Sequence, residues 1–155
     1  MNEKIRTLEE LTALRPQWRD KTVVWTNGCF DLLHAGHVRS LQAAKALGDM
    51  LIVGLNSDES VTAIKGRGRP LMCEEDRAEV MAALECVDYV TIFSENNPGV
   101  ALSKLQPDIH CKGADYENRP IPERKIVEAY GGRICFLPLL EGRSTSGLVE
   151  RMCRS

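Results

Sequence analysis

Five apolar runs punctuate the chain: those in "TVVWTN", "MLIVGLN", "DYVTIF", "DIHCKG" and "RICFLPL". Within each run the apolar residues follow one another instead of alternating with polar ones, the pattern of strands buried on both faces. Helical patterns fill the gaps. "AGHVRSLQAAKAL" is closed by Gly48 in the C-cap position, and "EEDRAEVMAALECV" carries acids in its first turn with Val80, Met81, Leu84 and Val87 on its inner face. "NPGVALSKL" starts with Asn97 as cap and Pro98 at the first helical position, "PERKIVEAYGG" stops at a glycine pair, and "STSGLVERMCR" forms a last helix. At the other end, Thr7 and Glu10 of "TLEELTAL" make a capping box, with Leu8, Leu11 and Leu14 on one face and Pro16 as the stop. The stretch "SDESVTAIKGRGRP" reads as a polar loop holding a single helical turn.

Strands that alternate with helices join through right-handed crossovers into one parallel sheet. The expected architecture is α/β: a Rossmann-like, doubly wound, five-stranded parallel sheet flanked by helices. Residues 1–20 form an N-terminal helical extension and residues 21–155 the core of a single domain.

Composition narrows the function classes. At 155 residues, 43% hydrophobic and 27% charged, the chain can bury a substantial core. A net charge of −2 argues against nucleic acid as a partner through bulk electrostatics. The start, "MNEKIRTLEE", has no apolar signal region, and no apolar run is long enough to span a bilayer, so a cytoplasmic protein with no membrane partner is expected. The six cysteines are scattered without a Cys-x-x-Cys pair, which reads as free thiols and leaves no metal site.

In doubly wound sheets ligands bind at the carboxyl ends of the strands. Here polar and glycine-rich residues gather at those ends again and again. The first strand runs out through Asn27, Gly28, Cys29, Phe30 and Asp31 to "HAGH"; the second ends in Asn56 and Asp58; the fourth in Lys112, Gly113, Asp115 and Tyr116. After the fifth come Ser144, Thr145 and Ser146 at a helix start. His34 and His37 flank Gly36 at a helix N-terminus, where free N–H groups and the dipole favour an anion. Imidazoles placed there donate to phosphate oxygens as charge develops. A zinc reading lacks a third ligand nearby. "KGRGRP", residues 65–70, is neither a Walker A loop nor a dinucleotide fingerprint, yet it sets three cations on glycine hinges that can close over a triphosphate. "GRSTSGL" misses the nucleophile-elbow pattern because position 146 is Ser, which argues against a serine hydrolase. Taken alone, Arg77 reads as a solvated helix charge.

"NGCFDLLHAGH", "LGDMLIVGLNSD", "KGRGRP", "DIHCKGADY" and "GRSTSGLVERM" resemble, in this order, the His-x-Gly-His nucleotidyltransferases of the cytidylyltransferase-like branch. Within it the chain is most similar to the bacterial D-glycero-β-D-manno-heptose 1-phosphate adenylyltransferases, which also occur as C-terminal domains of bifunctional kinases. The resemblance implies transfer of AMP from ATP to a sugar 1-phosphate with release of pyrophosphate, assisted by Mg²⁺, in a homo-oligomer. It implies that His34 and His37 hold the triphosphate and that Lys65 neutralises charge around the reacting phosphates. Arg77 would add a phosphate or nucleotide contact. Gly113, Asp115 and Tyr116 would frame base or ribose, and Ser144, Thr145 and Ser146 would close the phosphate side. Two departures stand out: Ala114 where relatives carry Gly, and Ser146 where they commonly carry Thr. A methyl at 114 would tighten the pocket or forbid a positive φ. The alternatives are a glycerol-3-phosphate-type cytidylyltransferase using CTP and, from another class, a regulatory nucleotide- or metal-binding module.

Overall fold

The structure is a computed structural model that describes residues 2–138 and 144–154. Its sheet has five parallel strands in the order β3-β2-β1-β4-β5: β1 (Val23–Gly28), β2 (Met50–Asn56), β3 (Tyr89–Phe93), β4 (Ile109–Gly113) and β5 (Arg133–Leu137). Side chains on successive strand residues point to opposite faces, so each strand feeds two cores. Val24, Leu51, Val53 and Ile109 pack with α2 (Ala35–Lys45) and α4 (Glu74–Ala82) on one face. Val23, Trp25, Met50 and Ile52 pack on the other, with α1 (Leu8–Leu14), α5 (Gly99–Leu105) and α6 (Arg124–Ala129). The expected doubly wound sheet is thus present, and its continuous apolar strands are explained by burial on both faces.

Two glycines serve close approach rather than turning. A Cβ on Gly54 would lie 2.2 Å from the Trp25 ring, so the middle of β2 has to be bare for Trp25 to enter the core. A Cβ on Gly48 would lie 2.7 Å from the Thr22 carbonyl oxygen, which sets the entry into β2. That corrects the C-cap reading: α2 ends at Lys45 with Ala46 as its cap.

Residues 2–20 are knitted into the fold. Thr7 and Glu10 form the expected capping box, and Leu11 is fully buried beneath α1. Residues 4–6 also lie along the outer edge of β3: Arg6 N–H donates to the Val90 carbonyl at 3.0 Å, and Val90 N–H donates to the Lys4 carbonyl at 2.9 Å.

The segment read as a loop is instead α3 (Asp58–Lys65), capped by the Ser57 hydroxyl, which accepts from Ser60 N–H. Acids in its first turn and Val61 buried on its inner side let a largely polar stretch hold helix. In α4 the buried positions are Arg77, Ala78, Met81 and Ala82, while Val80 is 40% exposed. The inner face is therefore rotated from the expected one, because an arginine occupies an inward position that a hydrophobic pattern scores as outward. α7 (Thr145–Arg154) is the last helix. Among the described residues no helix is long and apolar enough to cross a membrane.

Candidate active site

The cleft follows from the sheet. β1 and β4 pair only through Val24–Ile109 and Trp25–His110, and beyond those residues the two strands separate. Strand order reverses at the same place, the point where doubly wound sheets bind ligands. A cleft of about 460 Å³ opens there, walled by Asn27, Gly28, Cys29, Phe30 and Asp31 from β1 and the turn after it, His37 from α2, Asn56 from β2, Lys65 from α3, Lys112 and Gly113 from β4, and Tyr116 after it. These predicted residues are brought together. A second cleft of about 570 Å³, between α1, the end of β3 and α5, carries none of the candidate chemistry.

The histidine pair is held by its own backbone. His34 is the extended N-cap of α2 and its Nδ1 accepts from Gly36 N–H at 3.0 Å. His37 Nδ1 accepts from His34 N–H at 3.3 Å. The rings stack with centroids 3.9 Å apart, and Phe30 meets the His37 ring edge-on at 5.4 Å. An Nδ1 that accepts cannot carry the proton, so each neutral ring holds it on Nε2 and presents an N–H donor. Burial, reinforced by the positive charge a protonated His34 would bring, pushes the His37 pKa down to about 4. At neutral pH His37 is therefore a hydrogen-bond donor without charge. A Cβ on Gly28 would lie 3.0 Å from Phe30 Cε2, and Phe30 itself sits at φ 47°, so this turn is shaped around the aromatic ring that backs His37.

Of the three cations that line the cleft among the described residues, two are engaged within the protein. Asp31 accepts from Arg69 Nε at 3.0 Å and from Leu71 and Met72 N–H at 2.8 and 2.9 Å. Burial alone would raise the Asp31 pKa, but these hydrogen bonds outweigh it and hold the carboxyl below its ordinary value. Asp31 thus clamps the end of "KGRGRP" to the β1 turn. Lys112 pairs with Glu123 at 3.1 Å. Lys65, exposed at the end of α3, has no acidic partner among the described residues. Gly66 and Gly68 follow it at φ 97° and 89° with open space around them, which a residue with a side chain would enter only under strain.

Several expected site residues stand elsewhere. Arg77 is 1% exposed and reaches no open surface. Its guanidinium donates to the carbonyls of Cys29 (2.6 Å), Asn56 (2.8 Å) and Met72 (3.0 Å) and to Asp58 Oδ1 (2.7 Å). It ties together the ends of β1 and β2, the start of α3 and the turn before α4, and Asp58 is its partner instead of lining the cleft. Asp115 is exposed, 4.0 Å from Arg119. Two cations lie over the Tyr116 ring, Lys112 at 4.2 Å and Arg119 at 5.4 Å from its centroid. Ala114 opens a single 3-10 turn and is not at positive φ, so its methyl forbids nothing there. Gly36 is the second residue of α2, its N–H donating to His34 Nδ1. Ser144 caps α7, its hydroxyl accepting from Gly147 N–H at 2.9 Å, and is exposed, as is Ser146; Thr145 opens the helix between them. The Gly142 and Arg143 part of "GRSTSGL" lies outside the described residues.

The sequence reading overlooked Glu123 and His110, and treated Arg69 only as one of three loop cations. Arg69 and Glu123 line the cleft, and His110 is fully buried behind it. Only the acid and the histidine near the fourth strand pointed to the second pair, and their partnership depends on a crossover.

Residues 25–136 match the family model described as cytidylyltransferase-like. The chain is 48% identical over 153 residues to the bifunctional protein HldE of Syntrophotalea carbinolica, covering 97% of this chain and 31% of that protein. It is 48% identical over 156 residues to the protein of the same name from Citrifermentans bemidjiense, covering 99% and 32%. The chain thus spans about a third of the length of these curated relatives. Among solved structures, the lipopolysaccharide core biosynthesis protein of Thermoplasma volcanium GSS1 matches with TM-score 0.63 at 25% identity, over 79% of this chain and 99% of that one. A pantoate-β-alanine ligase from Francisella tularensis shares the fold, with TM-score 0.63 at 16% identity, over 92% of this chain and 68% of that one. Because the family match runs from Trp25 to Phe136, through all five strands and the walls of the cleft they build, the chain belongs to the cytidylyltransferase-like family of nucleotidyltransferases.

Proposed function

We propose that the protein transfers AMP from ATP to a sugar 1-phosphate, D-glycero-β-D-manno-heptose 1-phosphate, releasing pyrophosphate. The observation that carries this reading is the stacked His34–His37 pair, whose backbone-held Nδ1 atoms leave Nε2–H as the donor of each neutral ring at a helix N-terminus. Such donors suit phosphate oxygens that gain charge during transfer. An oxygen of the sugar phosphate attacks the α-phosphorus of ATP, the bond to the bridging oxygen of the β-phosphate breaks, and pyrophosphate leaves with the electron pair. The attacking oxygen is already anionic near neutral pH, so no general base is needed. The protein's contribution is alignment and charge neutralisation, with Lys65 and its glycine hinges closing over the phosphates. The resemblance to heptose 1-phosphate adenylyltransferases and the likeness to HldE proteins support the choice of sugar and nucleotide.

Mg²⁺ fits this cleft only as the nucleotide's own counter-ion. No group of three or more potential ligands occurs among the described residues, and the cleft carboxylates Asp31 and Glu123 already accept from protein donors. When bound, the ion would offset charge on the phosphates.

The test is a side-by-side assay of ATP and CTP with heptose 1-phosphate and glycerol 3-phosphate, following pyrophosphate and the nucleotide-linked product by mass spectrometry. ADP-heptose is the expected product. Faster turnover of CTP with glycerol 3-phosphate would replace the proposed substrates. Failure with every sugar phosphate and nucleoside triphosphate, in a folded protein that binds metal tightly, would sink the enzymatic reading.

A further inference from the structure

His110 and Lys112 lie two residues apart on β4, so the strand's period sends both side chains to the face where α6 begins. Glu123, the N-cap of α6, meets them both with one oxygen: Oε1 is 3.0 Å from His110 Nε2 and 3.1 Å from Lys112 Nζ. Glu123 is 2% exposed and His110 fully buried, whereas the Lys112 side chain is 16% exposed and reaches the cleft wall. The three groups run in order from core to cleft, with the positive end outermost.

This arrangement has a structural cost. His110 Nδ1 is buried without a hydrogen-bond partner among the described residues, and an orphaned acceptor of that kind destabilises a fold unless it serves something else. An apolar residue at 110 would pack on the core without that penalty. What His110 supplies is an N–H directed at Glu123. The hydrogen bond from His110 and the charge of Lys112, against the opposing effect of burial, hold the Glu123 pKa down to about 2. A carboxylate fixed this way holds the ammonium, whose Nζ also lies over the Tyr116 ring, 4.2 Å from its centroid.

We propose that Glu123, braced by His110, is a positioning residue that aims Lys112 into the cleft to receive a phosphate oxygen of a substrate. The inference rests on the nucleotidyl-transfer reading above and adds the device that sets one of its cations. The phosphate can belong to the nucleotide or to the sugar, and the assay separates the two.

The experiment is a double-mutant cycle of Glu123→Gln and Lys112→Met, with KM for ATP and for the sugar phosphate, kcat, and Tm measured for all four proteins. Lys112→Met alone is expected to raise KM for one substrate roughly 10- to 100-fold, the scale of one charge-assisted hydrogen bond, while kcat changes much less. Glu123→Gln is expected to raise the same KM, and to add nothing once Lys112 is Met. Glu123→Asp, which keeps the charge but shortens the reach, should recover part of the loss. Equal KM penalties for Glu123→Gln in both backgrounds, or an unchanged KM in Lys112→Met, would overturn the proposal. Should the wild-type enzyme turn over no substrate pair, the functional reading fails by itself. Binding of tripolyphosphate by calorimetry to the same four proteins then still decides whether Glu123 positions Lys112: non-additive losses support it and additive ones refute it.

Discussion

Replacing Arg77 with Ala separates two incompatible roles for one residue. A phosphate contact would make the loss catalytic; the buried guanidinium, donating to three carbonyls and to Asp58, makes it structural. Each hydrogen bond from a charged donor is worth about 1.5–3 kcal/mol, but the four share one group and do not add. Asp58 is 38% exposed and recovers hydration when its partner goes, whereas the carbonyl of Asn56 sits in a buried bond and does not. Removing one partner from a buried ionic network costs roughly 3–5 kcal/mol, a large part of the 5–15 kcal/mol that holds an ordinary domain. At about 2–4 °C per kcal/mol for a chain of this size, Tm falls by roughly 6–20 °C. Arg77→Lys keeps the charge but cannot span four acceptors, and should fall between Ala and wild type. Urea unfolding followed by circular dichroism reads the stability, and calorimetric titration with ATP, at a temperature where the variant is folded, reads the binding. An unchanged unfolding midpoint together with ATP binding weakened tenfold or more would refute the structural role and restore the phosphate contact.

Three further outcomes are expected. The His37 ring should titrate near pH 4 instead of near 6.5 by NMR. Between those values the unfolded chain binds the extra proton, so stability from this group is complete above about pH 6.5 and is lost as pH falls toward 4; a His37 titration near 6.5 would contradict the burial argument. His37→Ala should lower kcat by roughly 100-fold or more, the scale of losing one transition-state donor, and unchanged turnover would return His37 to a capping role. Gly54→Ala places a methyl where the Trp25 ring lies and should cost roughly 1–3 kcal/mol or more in denaturant unfolding, with loss of the native tryptophan fluorescence; wild-type stability would show that the ring has room to move.

Local signals were legible in the sequence: the capping box at Thr7 and Glu10, the continuous apolar strands, the glycines at strand ends and the spacing of His34 and His37. Each depends on residues a few positions apart. What stayed hidden depends on pairs that only the crossovers bring together. Arg69 meets Asp31 across 38 positions, and Arg77 meets the Cys29 carbonyl across 48. Arg77 misled twice, since a charge on a helix reads as outward, and that reading also turned the face of α4 toward Val80. α3 was missed because its stability comes from the Ser57 cap and one buried valine, with no stripe of apolar residues to announce it.

The strap of residues 4–6 along β3 bears on what the edge of the sheet offers to its surroundings. A bare outer strand offers a row of N–H and C=O groups to any neighbouring chain. Here Val90 exchanges both of its outward hydrogen bonds with Lys4 and Arg6. The segment therefore works as a sixth, one-bridge strand that satisfies the outward groups of Val90, and deleting it is expected to leave those groups open to pairing with another chain.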